Sequence, residues 1–350
     1  MSDLARRFPG NPIVSPQDVR PSRPGLSVIG VLNPASFRFQ GKSWLLLRVA
    51  EGVPAGGDQV SASVLDPATP GGMRTVAVRR GDPLLAAGSD PRAFVWSGDS
   101  YLTTISHFRL ASSADGVHFQ VEAEPALEGE GELESYGIED GRVAEIDGSF
   151  WLAYTAVSPS GFGVSLASTV DWKTFDRHGM IFAPPNKDCV LFPEKIGGSY
   201  LALHRPVSQG LGGQYIWLAS SPDLLHWGDH RCVVRPRRGA WDSAKVGAGA
   251  PPVRTEEGWL EIYHGVDDNN RYCLGAVLLD LNDPAHVLGR SSEAIMEPLT
   301  DYERGGFYGN VVFATGAMAT GDEFTLYYGA ADEWVCGATM SIREILASLD

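Results

Sequence analysis

The feature of this sequence that most constrains its fold is a recurring pair of strand-like segments. In each repeat an apolar run reaches a short polar turn that contains glycine, and a second run rich in aromatic residues follows. The turns lie at Gly41, Gly98, Asp147-Gly148, Gly197-Gly198, Glu257-Gly258 and between Gly316 and Gly321. Such turns are typical of β-hairpins. The repeats recur about every 50–60 residues, which is the spacing of propeller blades rather than of sandwich strands.

Several of these units continue with a third strand-like run and then a common turn. Third runs occupy residues 163–168 and 216–221, and each precedes a turn with serine or aspartate that leads to an aromatic side chain. The same turn signature occurs at residues 111–119. Units of this kind pack side by side around an axis and close a ring. The sequence therefore predicts an all-β chain folded as a β-propeller.

A single domain is predicted to span residues 1–350. It has an N-terminal extension at residues 1–30 and a short C-terminal helix at residues 341–350. Residues 52–90 are rich in glycine and proline and are predicted to be an insertion, with a short strand at residues 60–65. We find no segment with the character of an inter-domain linker.

Composition and charge restrict the class of protein. Hydrophobic residues make up 43% of the chain and charged residues 20%, as in soluble globular proteins. The net charge of −15 argues against nucleic acid or an anionic membrane as a partner, so an anionic substrate would need a local cluster of basic groups. The four cysteines are far apart and predict neither a zinc site nor a disulfide framework. Because neither a secretory signal nor a long apolar run is visible, we expect a cytoplasmic protein.

A charged segment precedes one of the predicted strands. Glu139, Asp140 and Arg142 stand side by side just before the apolar run that ends at Tyr154. Charged residues at the start of a strand either face solvent or line a site. An aspartate beside an arginine fits a general acid next to an anion-binding group, but it also fits a solvated turn with a local ion pair.

Short blocks along the chain carry a family resemblance. In order, they are Asn33-Pro34-Ala35 with Leu47-Arg48, then residues 138–143, 186–188, 203–206, 241–252, 258–266, 302–303 and 327–332. As an ordered set they resemble glycoside hydrolase family 130, which comprises β-mannoside phosphorylases and β-mannosidases. The resemblance implies a five-bladed propeller with a site in a funnel at one end of its axis. Since six hairpins are counted, one should be split or take part in ring closure. Gly141 departs from the family, which has proline there.

The resemblance also implies a chemistry. Inverting cleavage of a glycoside needs an acid at the leaving oxygen and a nucleophile on the opposite face of the sugar. Water as nucleophile needs a carboxylate base, whereas phosphate needs cations that hold it. The family's acid corresponds to Asp140, which would pass its proton through a sugar hydroxyl. Because hydrolytic members replace some of the cations with acidic residues, the basic Lys245 and His264 favour phosphorolysis.

The same resemblance predicts which residues contact the substrates. The expected phosphate-binding residues are Arg48, Arg142, Lys187, Arg205, Lys245 and His264. The expected sugar-binding residues are Asn33, Tyr136, Glu139, Asp188, Tyr263, Glu303 and Asp332. Each of them alone also has a structural explanation, such as an ion pair or a hydrogen bond within the fold. Together, basic residues at several strand ends of an acidic chain favour an anion site.

We therefore expect an inverting β-mannoside phosphorylase. It would convert β-1,2- or β-1,4-linked mannosides and inorganic phosphate into α-mannose 1-phosphate and an acceptor sugar, with no metal and no cofactor. One alternative is an inverting β-1,2-mannosidase with Glu303 or Asp188 as the base. Another is a non-catalytic sugar-binding propeller, for which Gly141 is the only support. Whether identical copies assemble is left open.

Overall fold

The computed structural model describes residues 3–54, 56–86, 90–208 and 210–350. The strands, in chain order, are β1 (Arg6–Arg7), β2 (Ser27–Phe39), β3 (Lys42–Gly52), β4 (Gln59–Leu65), β5 (Met73–Arg79), β6 (Ala93–Trp96), β7 (Asp99–Leu102), β8 (Ile105–Ser113), β9 (Gln120–Val121), β10 (Ile138–Ile146), β11 (Ser149–Ser158), β12 (Gly161–Thr169), β13 (Asp176–Phe182), β14 (Asn186–Leu191), β15 (Tyr200–Pro206), β16 (Ile216–Ser221), β17 (Gly228–Val234), β18 (Lys245–Ala248), β19 (Val253–Arg254), β20 (Trp259–Val266), β21 (Tyr272–Leu279), β22 (Val287–Arg290), β23 (Val312–Thr320), β24 (Glu323–Ala330) and β25 (Trp334–Ser341). The helices are α1 (Asp301–Arg304) and α2 (Ile342–Leu346), with 3-10 turns at Pro16–Asp18 and Glu132–Glu134.

These strands form five antiparallel sheets, which are the blades of a β-propeller. Blade I contains β2, β3, β8 and β9, blade II β10 to β13, blade III β14 to β17, blade IV β18 to β22, and blade V β23 to β25 with β1. The first strands β2, β10, β14 and β18 contact one another in turn around the axis, and β23 contacts β2 as well as β20 and β21 of blade IV. The predicted fold class and blade number are confirmed. Within the described residues no helix is long and apolar enough to cross a membrane.

The N-terminal segment closes the ring. Strand β1 pairs antiparallel with β25, so the outermost strand of blade V comes from the opposite end of the chain. Arg7, Asn11 and Val14 continue this contact, through an ion pair with Glu303, hydrogen bonds to Gly337 and a bridge to Val335. The start of the predicted N-terminal extension is therefore a structural part of blade V.

The sixth hairpin that the sequence predicted is not a blade. Strands β6 and β7, around the turn at Gly98, form a two-stranded sheet of their own, and so do β4 and β5. Both hairpins lie between β3 and β8 along the chain, and they pack on each other through residues such as Val64, Phe94 and Tyr101. The extra hairpin thus belongs with β4 and β5 to an insertion that extends beyond the predicted residues 52–90, and not to a split blade or to ring closure.

The first strands of blades I, II and III share one irregularity. Their pairing shifts register between Leu32 and Ala35 in β2, between Glu139 and Arg142 in β10, and between Lys187 and Val190 in β14. A bulge of this kind bends the strand and redirects a side chain. At the three shifts stand Asn33, Asp140 and Asp188, with φ of 45°, 49° and 54°. Asparagine and aspartate enter this left-handed region more readily than most residues. Three successive blades therefore place a polar residue at an equivalent position.

Candidate active site

A cavity of about 360 Å³ opens at the end of the ring where these three bulges lie. All five blades contribute side chains to it, and the insertion adds others from one side. Its charged lining residues are Arg48, Asp90, Arg92, Glu139, Asp140, Lys187, Asp188, Arg205, Lys245 and Asp332. A concave site with a few convergent polar groups is the usual form of a small-molecule pocket.

Asp140 lies in this cavity with two donors on one of its oxygens. Asn33 Nδ2 donates to Asp140 Oδ1 over 2.7 Å, and Arg48 Nη1 donates to the same oxygen over 2.9 Å. Arg48 also donates to Glu139 Oε1 over 2.8 Å and to Ser106 Oγ over 3.0 Å. These bonds fix the guanidinium of Arg48 beside the carboxylate.

The charge state of Asp140 follows from its neighbours. Burial by itself raises the pKa of Asp140, but the positive charges of Arg48, Arg142 and Lys187 outweigh burial and hold this pKa below its usual range. The carboxyl group is therefore ionised at neutral pH in the free protein. To donate a proton, Asp140 needs a bound ligand that neutralises or displaces those cations and so raises its pKa.

Asp188 lies at the centre of the basic side chains. Arg205 Nε is 2.7 Å from Asp188 Oδ2, Arg142 Nη2 is 3.2 Å from Oδ1, and His264 Nε2 is 3.4 Å from Oδ2. Burial raises the pKa of Asp188, yet Arg205, His264 and Arg142 outweigh it and hold the pKa well below its usual range. Asp188 is therefore a buried anion that orients these side chains.

Lys245 and His264 differ in charge although both line the cavity. Burial and the charge of Arg205 lower the pKa of Lys245 to about 8, and its Nζ donates to Tyr272 Oη over 2.6 Å. Burial lowers the pKa of His264 to about 3, although Asp188 favours the charged form. At neutral pH Lys245 is mostly a cation, while His264 is a neutral imidazole that can offer a hydrogen bond but no charge.

Asp332 and Arg92 form another part of the cavity wall. Burial raises the pKa of Asp332 to about 6 against the charges of Arg48 and Arg92. Arg92 Nη1 lies 3.8 Å from Asp332 Oδ2, and the guanidinium stacks 4.0 Å above the ring of Tyr308. Arg92 also pairs with Asp90 over 2.9 Å. This wall combines a planar cation, an aromatic ring and a carboxyl group, all of which can contact a sugar.

Several predicted site residues lie outside the cavity lining. Tyr136 packs in the apolar cluster of the insertion, and Tyr263 lies in the core of blades III and IV, where its hydroxyl donates to Asp242. Glu303 is fully buried and accepts from Arg7 and Tyr328. None of these three is in position to stack on or bind a sugar in the cavity.

Arg142 also lies outside the lining, below Phe313, whose ring centre is 5.7 Å from the guanidinium. Its side chain is 1% exposed. The predicted residues that the structure does bring together are Asn33, Arg48, Glu139, Asp140, Lys187, Asp188, Arg205, Lys245, His264 and Asp332.

Arg92, Tyr308 and Tyr272 line the cavity although the sequence did not indicate them as site residues. Arg92 begins the hairpin that had been counted as a blade, so its place beside the cavity was not expected. Tyr272 begins β21, which pairs with β20, and its hydroxyl meets Lys245 across the blade. A residue-by-residue prediction of strand pairing would have placed Tyr272 near Lys245.

Metal ligands and thiols add little to the site. Among the described residues, no group of three or more histidine, cysteine, aspartate or glutamate side chains is arranged to hold a metal ion. Cys189, Cys273 and Cys336 are buried free thiols, and Cys232 is partly exposed.

Comparisons with known proteins give a consistent result. The model of glycoside hydrolase family 130, described as β-1,4-mannooligosaccharide phosphorylase, matches residues 94–350. The β-1,2-mannobiose phosphorylase of Listeria innocua is 43% identical over 348 residues, which is 98% of either chain. A 1,2-β-oligomannan phosphorylase of Thermoanaerobacter is 41% identical over 244 residues, 69% of this chain and 80% of that protein. The structure of the Listeria innocua enzyme in complex with β-1,2-mannobiose superimposes with a TM-score of 0.95, covering 99% of both chains at 43% identity.

Proposed function

Because this chain belongs to glycoside hydrolase family 130, we propose that it is an inverting β-mannoside phosphorylase whose preferred substrate has a β-1,2 linkage. The products are α-mannose 1-phosphate and the acceptor sugar. The full-length similarity to a β-1,2-mannobiose phosphorylase supports the phosphorylase activity and the linkage.

The observation that best supports phosphorolysis is the group of cations beside the candidate acid. Lys187, Arg205 and Lys245 line the same cavity as Asp140, in a chain whose net charge is −15. Cations buried at such a place need an anion, and a phosphate dianion is held well by charge-assisted hydrogen bonds. Asp188 neutralises only part of this charge.

The proposed reaction uses the residues of the cavity as follows. A phosphate oxygen attacks the anomeric carbon of mannose as the bond from that carbon to the leaving sugar breaks, so the configuration inverts. Asp140 donates a proton through a mannose hydroxyl to the leaving oxygen, and Arg48 and Asn33 hold its carboxyl group in place. Lys187, Arg205 and Lys245 bind phosphate, and neutral His264 contributes a hydrogen bond. Glu139 and Asp332 bind sugar hydroxyls.

A hydrolase is supported less well by the residues at hand. It would need a carboxylate that activates water. Glu303 lies outside the cavity lining, in a network with Arg7 and Tyr328. Asp188 is paired with Arg142 and Arg205, and its lowered pKa makes it a weak base.

An assay of phosphate dependence tests the proposal. Purified protein is incubated with β-1,2- and β-1,4-mannobiose, with and without phosphate, and free mannose and sugar phosphate are measured separately. We expect sugar phosphate only when phosphate is present, and faster turnover of the β-1,2 disaccharide. Equal release of free mannose in both conditions would favour the mannosidase, and sugar binding without turnover would favour a non-catalytic propeller.

A further inference from the structure

Arg142 makes its polar contacts below the cavity and not inside it. Its Nη1 donates to the main-chain oxygen of Asp140 over 2.8 Å, and its Nη2 contacts Asp188 Oδ1 at 3.2 Å. Its Nε donates to the oxygen of Gly249 and its Nη2 to the oxygen of Ala248, both over 3.3 Å. One guanidinium thus joins blades II, III and IV, and its donors are directed at protein acceptors.

The acceptors in blade IV are themselves fixed. Gly249 N donates to Glu261 Oε1 over 2.8 Å, and Glu261 is fully buried. A Cβ atom at Gly249 would lie 2.2 Å from the main-chain oxygen of Ile262, so this backbone can approach its neighbour only as glycine. Arg142 is therefore anchored on one side to a rigid part of the fold.

On its other side Arg142 holds two bulge residues. Asp140 has a φ of 49° and Asp188 a φ of 54°, conformations that cost free energy and persist only when the surroundings enforce them. Arg142 binds the carbonyl group of Asp140 and the carboxylate of Asp188. Asp188 in turn contacts Arg205 and His264. Arg142 thus links the backbone of the candidate acid directly to the carboxylate that contacts the anion-binding side chains.

We propose that Arg142 is a positioning residue, which sets the acid Asp140 against the phosphate-binding side chains without binding phosphate itself. The proposal rests on the proposed phosphorylase function, and it replaces the phosphate-binding role that the sequence predicted for Arg142. Small displacements of reacting groups are costly in rate, and a shift of about 1 Å can lower it by about 10²-fold.

The test compares Arg142→Lys and Arg142→Met with two reference variants. Arg109→Met is the structural control, because Arg109 is also a fully buried arginine that donates to a main-chain oxygen, that of Ala123, but lies away from the cavity. Lys245→Ala is the reference for a phosphate ligand. For each variant, kcat, KM for phosphate, KM for mannobiose, the pH profile and the thermal midpoint are measured.

For Arg142→Lys we expect kcat to fall about 10²-fold while KM for phosphate changes by less than about threefold, because a lysine cannot bind all these acceptors at once. Lys245→Ala should instead raise KM for phosphate and change kcat little. Arg142→Met also removes the charge, so Asp140 should keep its proton to higher pH in the substrate complex, and the alkaline limb of the kcat profile, which reports the ligand-bound enzyme, should move upward. Arg142→Lys should leave that limb unchanged.

Two results would overturn the proposal. A rise in KM for phosphate of about tenfold or more at unchanged kcat would assign Arg142 to the phosphate site. Equal losses of kcat and thermal stability in Arg142→Met and Arg109→Met would reduce it to a structural arginine. If Arg142→Met does not fold, the division between kcat and KM in Arg142→Lys decides. Failure of the phosphorylase function would appear separately, as turnover of the unaltered protein that does not depend on phosphate.

Discussion

Two carboxyl groups of the cavity, Asp140 and Asp332, differ in pKa because their neighbours differ. Burial raises both pKa values, but Arg48, Arg142 and Lys187 bring that of Asp140 below its usual range, while Asp332 remains at about 6. A search by residue type cannot distinguish them. At the scale of single residues, the arrangement of cations therefore decides which carboxyl group can respond to an arriving anion.

Replacing the candidate acid tests its role directly. Asp140→Asn keeps the shape of the side chain and the contact with Arg48 but removes the transferable proton. We expect the rate to fall about 10²–10⁴-fold, with mannobiose binding nearly unchanged. Glu139→Gln is the matched control, because Glu139 also binds Arg48 over 2.8 Å. A loss below about tenfold in Asp140→Asn, with binding intact, would place the acid elsewhere.

Lys245 and His264 should contribute unequally to phosphate binding. Removing a charge-assisted contact with Lys245→Ala should cost about 1.5–3 kcal/mol, whereas removing a neutral hydrogen bond with His264→Ala should cost about 0.5–1.5 kcal/mol. KM for phosphate reports these costs, and KM for mannobiose serves as the internal control. If both variants change only KM for mannobiose, the two residues belong to the sugar site.

The lowered pKa of Lys245 predicts a pH dependence. Its charge is present below the pKa of about 8 and is lost as the pH rises through that value. KM for phosphate should therefore increase above about pH 8 as the phosphate site loses a cation. Lys245→Arg, which stays charged, should remove this increase. An unchanged pH profile in Lys245→Arg would mean that another group titrates.

At the scale of strands and turns, the turns could be predicted from the sequence, but the bulges, which depend on strand pairing, could not. The turns at Asp115, Asp171 and Asp223 were recognisable because each aspartate accepts hydrogen bonds from residues two and three positions later. The bulges at Asn33 and Asp140 depend on how one strand pairs with the next, which a single sequence does not reveal.

The same limit explains which site residues were misplaced. Tyr263 and His264 are neighbours in β20, and alternate residues of a strand point to opposite faces. His264 therefore lines the cavity while Tyr263 lies in the core. The family block contained both residues, but only the orientation of the strand separates the residue that lines the cavity from the one that packs in the core.

Two glycines, Gly141 in β10 and Gly249 just after β18, should respond differently to an added methyl group. At Gly141, which lacks a positive φ, a Cβ atom would meet Leu152 Cδ1 at 2.9 Å, the movable end of a side chain. Gly141→Ala should therefore cost about 1–3 kcal/mol of unfolding free energy and retain activity. Gly249→Ala would place Cβ 2.2 Å from the main-chain oxygen of Ile262 and should prevent folding or abolish activity. Denaturant unfolding measures both, and equal tolerance would contradict the packing argument.

At the scale of the whole molecule, the ring depends on contacts between the two ends of the chain. Strand β1 completes blade V, and Arg7 Nε donates to Glu303 Oε1 over 2.7 Å. The side chain of Glu303 has no exposed surface. Breaking a buried ion pair by removing one partner is strongly destabilising, since it leaves an uncompensated charge. The closure of the propeller therefore depends on a few residues near the N-terminus.

Neighbouring arginines provide a matched test of this closure. Arg7→Ala should lower the free energy of unfolding by about 3 kcal/mol or more. Arg6→Ala removes an exposed pair with Glu344, in which the two side chains are 66% and 48% exposed, and should have little measurable effect. Thermal and denaturant unfolding distinguish them. Similar small losses in both variants would show that ring closure does not depend on the buried pair.

The three bulges also have a consequence for how the repeats differ from one another. Their backbones are nearly alike, with φ between 45° and 54° at Asn33, Asp140 and Asp188. The proposed tasks differ because the side chains differ: an amide that binds the candidate acid, the candidate acid itself, and an anion that orients cations. In such a ring, a different residue at one of these three positions alters the chemistry of the cavity without a different backbone. The blades thus differ in function through single side chains, while the backbone at the three bulges stays nearly the same.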